Sequence, residues 1–596
     1  MKHIFSYQLF IKWIYREAFR SFLAATILFA PVAYAETMQR GSPRTSFSAP
    51  AGIGLPKLVL LVIVDGLPQE QLSKNYDLFG VGGFRRLMDQ GAWFSDAHQA
   101  HAFTVTAVGH TALLTGAYPY QHGIIANEWH ARDGKKIYCA GDDASMYPYL
   151  DGTPVTDEMG VSPKNLKVSS VGDELRYATN RASRVFAVAG KDRAAILPAG
   201  KTGVAYMFSP QTGRFTSTGY YMKAHPGWWE KYYANRPQDA WFHKAWKPLL
   251  PATAYARSLP DGQDWAASYQ KMATRFPLTY GAEEAKPGPL YYATLLLGPY
   301  GDIATAQFAG ELLKAEKLGR NPAGTPDILA VSFSGHDYVN HQFGPESIQS
   351  QDNLLRLDRT LAQFFGEVDR QVGSSNVLIV LSADHGFMNA PEYSAAQGFE
   401  AGRIDSADLR AALNRAAEQK FGLAKTVTQS MTGGITLDYA AIEAKNLNRE
   451  DVETFIARTA LEQPGIAYTF TRSQLERGTM PATRIGLLVT RAWNRQMAID
   501  VVIVPKPFYY FASKNSSSPS ATSHGSPYVY DTHVPLMFQG AKWIKAGRYT
   551  QPVEVVDMAS TLSAILNLRL PSAAEGRALS EIIRPAISER NFTKGH

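Results

Sequence analysis

Residues 326–386 read "PDILAVSFSGHDYVNHQFGPESIQSQDNLLRLDRTLAQFFGEVDRQVGSSNVLIVLSADHG". The two ends, "PDILAVSFS" (326–334) and "NVLIVLSADHG" (376–386), are short apolar runs without polar alternation, as strands covered on both faces of a parallel sheet require. Between them Leu354, Leu357, Leu361, Phe365, Val368 and Val372 recur at three- and four-residue steps, the pattern of an amphipathic helix. Strand, helix, strand in this order is a right-handed crossover unit, so the chain is α/β, with a central mostly parallel sheet flanked by helices. "KLVLLVIVD" (57–65) and "RVFAVAG" (184–190) read as further buried strands, and "VVDMASTLSAILNL" (555–568) as a packed helix. Two stretches read as insertions on that sheet: a Trp-, Tyr- and Pro-rich one at about 195–325 and one with weaker strand signals at about 387–495.

The whole chain has 596 residues, 45% of them hydrophobic and 19% charged, which suits a large globular core and excludes disordered or fibrous classes. Residues 1–35 read as a cleavable export signal. Lys2, Lys12, Arg16 and Arg20 precede an apolar run from Phe22 to Val32, followed by Ala33-Tyr34-Ala35. That run is well short of the ~20 residues of a spanning helix, so no stable membrane anchor is expected and the mature chain is periplasmic or secreted. Cleavage before Glu36 removes two Lys, two Arg and one Glu, lowering the formal net charge from +7 to +4. Because the excess is scattered, it favours anionic small substrates over nucleic acid. Cys139 is the single cysteine, so no intrachain disulfide forms. The expected organisation is a signal peptide (1–35), a linker (36–56), a catalytic domain (57–575) and a carboxyl-terminal tail (576–596).

Asp65, Asp337 and Asp384 each end or closely follow a strand-like run, and in open α/β sheets the ligand crevice lies beyond the carboxyl ends of strands. Any one of them could be a cap or turn residue. With imidazoles added the pattern becomes chemical: Asp337 and His341 share one face of a helical turn, and Asp384 and His385 are neighbours at a strand end. Carboxylate plus imidazole is the ligand set of zinc-like ions, and two such pairs can serve two metals. A further imidazole comes from His524, in a Gly- and Ser-rich loop, or from His533, which begins an apolar run. In "TVTAVGHTALLTG", Thr106 lies just before or in the first turn of a helix ending near Gly116, where the helix dipole favours negative charge. A nearby metal would make its hydroxyl a competent nucleophile.

Together these residues resemble the alkaline phosphatase superfamily. "VDG", a Thr four residues before the His of "GH", "TG..P..HGI..N", "D...H", "ADHG" and a late "HG" occur in that family's order, from about residue 57 to about residue 570. "AGKDRAAILPAG" (189–200) is similar to the Lys-x-Arg signature of the PafA-like, phosphate-irrepressible alkaline phosphatases with a threonine nucleophile, and "SPYVYDTHVPLMFQG" to their carboxyl-terminal segment. The resemblance implies an alkaline-phosphatase-like fold and hydrolysis of small phosphate monoesters through a phosphothreonine on Thr106. It also implies two Zn2+, one held by Asp337, His341 and His524 and the other by Asp65, Thr106, Asp384 and His385. Asn127, Lys191 and Arg193 would bind the non-bridging phosphoryl oxygens. His110 is expected to orient the site, and His98, His101, His122 and His130 to be loop or packed histidines.

Two other functions share this scaffold: a phosphodiesterase or nucleotide pyrophosphatase, and an exported metal- or phosphate-binding protein without turnover. Sulfatase chemistry is disfavoured, because Cys139 is followed by "AGDD" rather than a Cys-x-Pro-x-Arg signature. "AILPAGKTG" (195–203) lacks the first glycine of a phosphate-binding P-loop, Ala195 standing there.

Overall fold

Strand β1 (Leu58–Val64), sequence LVLLVIV, is buried along its whole length and forms the axis of the molecule. β6 (Asp327–Phe333) pairs with it in parallel on one side and β7 (Val377–Ser382) on the other, so that Leu61 lies beside both Ala330 and Val380. Helices cover both faces, which is why none of these strands alternates. The full sheet contains ten strands among the described residues. The others are β2 (Ala92–His98), β3 (Val185–Ala189), β4 (Val204–Ser209), β5 (Arg214–Thr216), β8 (His533–Gln539), β9 (Gly547–Tyr549) and β10 (Val553–Glu554). Their order is β9-β2-β8-β7-β1-β6-β3-β4-β5, with β10 beside β2.

Two features differ from the sequence expectation. The strands joined by the long helix Ile348–Val372 are not neighbours, because β1 is inserted between them. β4 and β5, inside the stretch 195–325 read as an insertion, extend the main sheet. Beyond β7 a single strand is reversed: β8 runs against both β7 and β2, while β9 and β10 pair with β2 in parallel, and the apolar run of β8 was not recognisable as a reversed strand from pattern alone. The result is a mixed sheet within an α/β fold.

The computed structural model describes residues 54–431, 433–514 and 519–585, all within one compact unit. The expected signal peptide, most of the linker and the last residues of the tail lie outside them. Among the described residues no helix is long and apolar enough to cross a membrane. The Ile348–Val372 helix starts at Ser347, whose side chain accepts from the Ser350 N–H, and stops at Gly373 with φ 88°, a left-handed conformation suited to glycine. A smaller antiparallel sheet (Val427–Met431, Gly434–Leu437, Val501–Pro505 and Ile466–Thr471) packs with helices Ser406–Phe421 and Arg449–Leu461 around a second apolar cluster containing Leu413, Ile435 and Ile456.

Burial sets the expected stability effects. Leu60 is fully buried, and Leu60→Ala should cost about 2–5 kcal/mol. Leu570, 51% exposed, should change by less than about 0.5 kcal/mol when replaced by Ala. Urea midpoints of the two variants check the contrast.

Candidate active site

Four adjacent parallel strands end at the same edge, and each delivers a charged residue there. Asp65 follows β1, Lys191 follows β3, Asp337 lies in the first turn of helix α2 (Gly335–Phe343) after β6, and Asp384 follows β7. Thr106 is the first residue of helix α1 (Thr106–Thr115), which closes at Gly116 in a left-handed conformation (φ 65°). Asn127 accepts the Ala107 N–H through Oδ1 at 2.9 Å, which commits its oxygen to the helix and leaves the NH2 group as its donor.

Helix α1 reaches Asp384 because residue 109 is glycine. A Cβ there would stand 2.0 Å from the Asp384 carbonyl oxygen. One position on, His110 Nδ1 lies 2.9 Å from the Thr106 carbonyl and 3.1 Å from Asp384 Oδ2, while Nε2 meets Ser332 Oγ at 2.8 Å. His110 thus links the start of α1, the β7 terminus and β6. Asp384 Oδ1 accepts from the backbone N–H groups of Gly66 and His385, both at 3.1 Å.

Three imidazoles converge on the carboxylates through Nε2. His341 and His524 each lie 3.5 Å from Asp337 Oδ1, and His385 lies 3.6 Å from Asp65 Oδ1 and 3.4 Å from Asp384 Oδ2. Their Nδ1 atoms are anchored on backbone carbonyls: Thr522 for His341 (3.1 Å), Gly386 for His385 (2.9 Å) and Thr104 for His524 (2.7 Å). A carbonyl can only accept, so each Nδ1 carries the proton and each Nε2 presents a lone pair, the tautomer of a metal ligand. Two groups at this edge have the spacing to hold a cation: Asp337, His341 and His524, and Asp65, Asp337 and His385. Asp65 Oδ1, Asp337 Oδ1 and His385 Nε2 are buried without a hydrogen-bond partner, which fits divalent cations at this centre.

Of the two histidines the sequence left open, His524 is here and His533 is not. His533 contacts Glu70 and the Ser95 carbonyl instead. His101 and His122 are packed away from the carboxylates. His101 Nε2 meets Gln99 Oε1 at 3.2 Å, with burial lowering its pKa to about 3, and His122 Nδ1 accepts the Ile124 N–H.

Lys191 occupies the middle of the cluster. Its Nζ is 2.8 Å from Asp65 Oδ2, 2.5 Å from Asp337 Oδ2 and 3.4 Å from Thr106 Oγ1, and 5.1 Å from the centroid of the Tyr338 ring. Burial pulls the Lys191 pKa down, yet Asp337 and Asp65 outweigh it and the ammonium is stabilised. Burial and the nearby Asp384 push the Asp65 carboxyl well above the usual carboxylate range. Burial acts the same way on Asp337, but Lys191 and the three imidazoles prevail and hold it well below that range. Burial, followed by the neighbouring His385, drives His524 well below an ordinary imidazole, so it is neutral at pH 7. Arg193 stands beside this group, with Nη1 donating to the Tyr138 hydroxyl at 3.2 Å. That hydroxyl donates to Asp192 Oδ1 at 2.6 Å. Sequence reading missed Tyr138, Asp192 and Ser332 as supports, since their only signal is proximity created by folding.

Comparisons with known proteins show the family and the fold. The family described as type I phosphodiesterase / nucleotide pyrophosphatase matches residues 59–527. An alkaline phosphatase PafA of Elizabethkingia meningoseptica is 34% identical over 89% of this chain and 94% of its own length. The crystal structure of wild-type alkaline phosphatase PafA superposes with a TM-score of 0.80 at 32% identity, covering 90% of this chain and all of that one. A PafA variant with a Thr, an Asn, a Lys and an Arg replaced superposes with a TM-score of 0.81, at the same identity and coverage.

The close approach at residue 109 gives a direct test. Gly109→Ala should cost about 1–3 kcal/mol by overpacking and displace Asp384, weakening metal retention. An unchanged urea midpoint would mean that α1 and the Asp384 backbone separate freely.

Proposed function

The chain belongs to the type I phosphodiesterase / nucleotide pyrophosphatase family, within the alkaline phosphatase superfamily, and from that premise we propose that this hydrolase is an exported, metal-dependent phosphomonoesterase with Thr106 as nucleophile. The observation that carries this reading is the meeting at one point of a helix-terminal hydroxyl, a buried ammonium 3.4 Å from it, and a carboxylate–imidazole ligand set.

Two zinc ions, one with Asp337, His341 and His524 and the other with Asp65, Thr106, Asp384 and His385, would supply positive charge that acidifies the Thr106 hydroxyl and offsets charge on the leaving oxygen. The chain's own residues do the rest. Thr106 Oγ attacks phosphorus as the bond to the leaving alcohol breaks, giving a phosphothreonine that water then hydrolyses. A monoester dianion offers three terminal oxygens, and catalysis of its transfer is mostly positioning and electrostatics. Asn127 donates from its amide, Lys191 adds a point charge, and Arg193 offers a forked pair of donors. The α1 amino terminus contributes its dipole. His110 holds Thr106 and Asp384 in register, which keeps the attacking oxygen over the ligand set. The four substituted residue types of the PafA variant support the assignment. They occur in the same order as Thr106, Asn127, Lys191 and Arg193, with the same spacing inside the Thr–Asn and Lys–Arg pairs.

The family's description favours one second reading, a phosphodiesterase or nucleotide pyrophosphatase. Diesters have one fewer terminal oxygen to bind, so Lys191 and Arg193 decide between the two. Comparing an aryl phosphate with its methyl diester tests this, and a strong diester preference would reject the monoesterase assignment. Thr106→Ala should leave metal content near the parent level while turnover falls by more than about 10³-fold. Combined Lys191→Ala and Arg193→Ala should depress monoester kcat/KM far more than diester kcat/KM, with equal losses removing their role in selectivity.

A further inference from the structure

His98 and His533 lie outside the centre described above, yet they repeat its construction. They are cross-strand partners on β2 and β8, with rings stacked 4.9 Å apart. Asp96, two residues before His98, projects to the same face of β2. Each imidazole has one nitrogen anchored by the protein and the other against a carboxylate. His98 Nδ1 is 3.1 Å from Thr532 Oγ1, and its Nε2 is 2.8 Å from Asp96 Oδ1. His533 Nε2 donates to the Ser95 carbonyl at 2.9 Å, and its Nδ1 is 2.7 Å from Glu70 Oε1. Ligand atoms of Asp96, His98 and His533 lie within 4.8 Å of one another, and all three residues are partly buried.

We propose that Asp96, His98 and His533, completed by Glu70, form an additional divalent-cation site of zinc type, separate from the catalytic centre. Two imidazoles and two carboxylates match the preference of a borderline cation, and four protein ligands make a closed, structural site. Anchoring of the second ring nitrogen fixes ring orientation, as metal-binding histidines need. Two carboxylates balance the charge of one dication. The ligands come from three separate segments: the helix Gln69–Lys74 after β1, strand β2 and strand β8. A cation there clamps the reversed strand β8, which lies between β7 and β2, to β2 and to the helix after β1. Binding displaces any proton shared between an imidazole and its carboxylate, so protons are released as metal enters.

The test counts metal. The full chain is saturated with zinc and desalted, and zinc per chain is measured by plasma mass spectrometry for the parent and for Asp96→Asn, His98→Gln and His533→Gln. Each variant should hold one zinc fewer than the parent, turn over aryl monoester at the parent rate, and have a lower thermal midpoint in zinc. Asp96 is 41% exposed at its side chain, so Asp96→Asn preserves packing even if a histidine variant fails to fold. Zinc content equal to the parent in folded Asp96→Asn and His98→Gln would overturn the proposal and leave two histidine–carboxylate pairs without a metal. Because the readout is a difference in stoichiometry, it stands whether or not Thr106 is the nucleophile.

Discussion

Everything at the carboxyl edge of the sheet depends on compensating three buried carboxylates. Asp65, Asp337 and Asp384 have at most 2% of their surface exposed, and ionised groups so far from water must be paired or neutralised. Lys191, within 2.8 Å of both Asp65 and Asp337, supplies part of that compensation. The outcome is uneven: Asp337, the nearer of the two to the Lys191 ammonium, is stabilised as an anion, while Asp65, beside Asp384, is pushed toward its neutral form. An arrangement this poor as a purely structural solution is what a centre built for cations requires, since hydrophobic residues of the same volume would serve stability better.

The fold makes that concentration of charge possible without unfolding around it. Parallel strands point their carboxyl ends the same way, so Asp65, Lys191, Asp337 and Asp384 arrive at one edge from four neighbours in the sheet. Glycine removes the last steric barrier. Gly109 lets α1 touch the Asp384 backbone, and Gly66, at φ 67°, turns the chain beneath Asp337, where a Cβ would stand only 3.1 Å from the Asp337 Cα, Cβ and Oδ1. Backbone carbonyls then fix the imidazoles by their Nδ1 protons, so ring orientation is set by secondary structure and loops rather than by the carboxylates themselves.

The reversed strand β8 and the smaller sheet add structure of a different kind. Arg132 and Asp500 form a paired contact, both distances 2.6 Å, between the loop after Trp129 and the second sheet, and Asp500 has no exposed surface. The Asp96, His98 and His533 group sits where β2 and β8 meet, so the carboxylate and imidazole chemistry found at the carboxyl edge of the sheet recurs as a seam between strands.

How much of this was legible in the residues depends on the range of the signal. Buried strands at 57–65, 184–190, 326–334 and 376–386, the long helix between the last two, and Thr106 at a helix start are written in local periodicity and capping, which a chain displays before it folds. The pairing of Asp337 with His341 is equally local, one turn of α2. Strand order is not: nothing in residues 326–386 shows that β1 will lie between their two strands, because neighbours in a sheet are chosen by global packing. The same limit governs His524 and His533. Both are plausible ligands by composition, and only the closure of β8 against β2, with Asp531 accepting from Gly525 and Ser526 to hold the loop, places one at Asp337 and the other beside His98. Lys191 shows it most clearly. Sequence determined that a lysine follows β3, while tertiary structure decided that its ammonium sits between two carboxylates more than a hundred positions away on either side, since charge compensation acts through space and not along the chain.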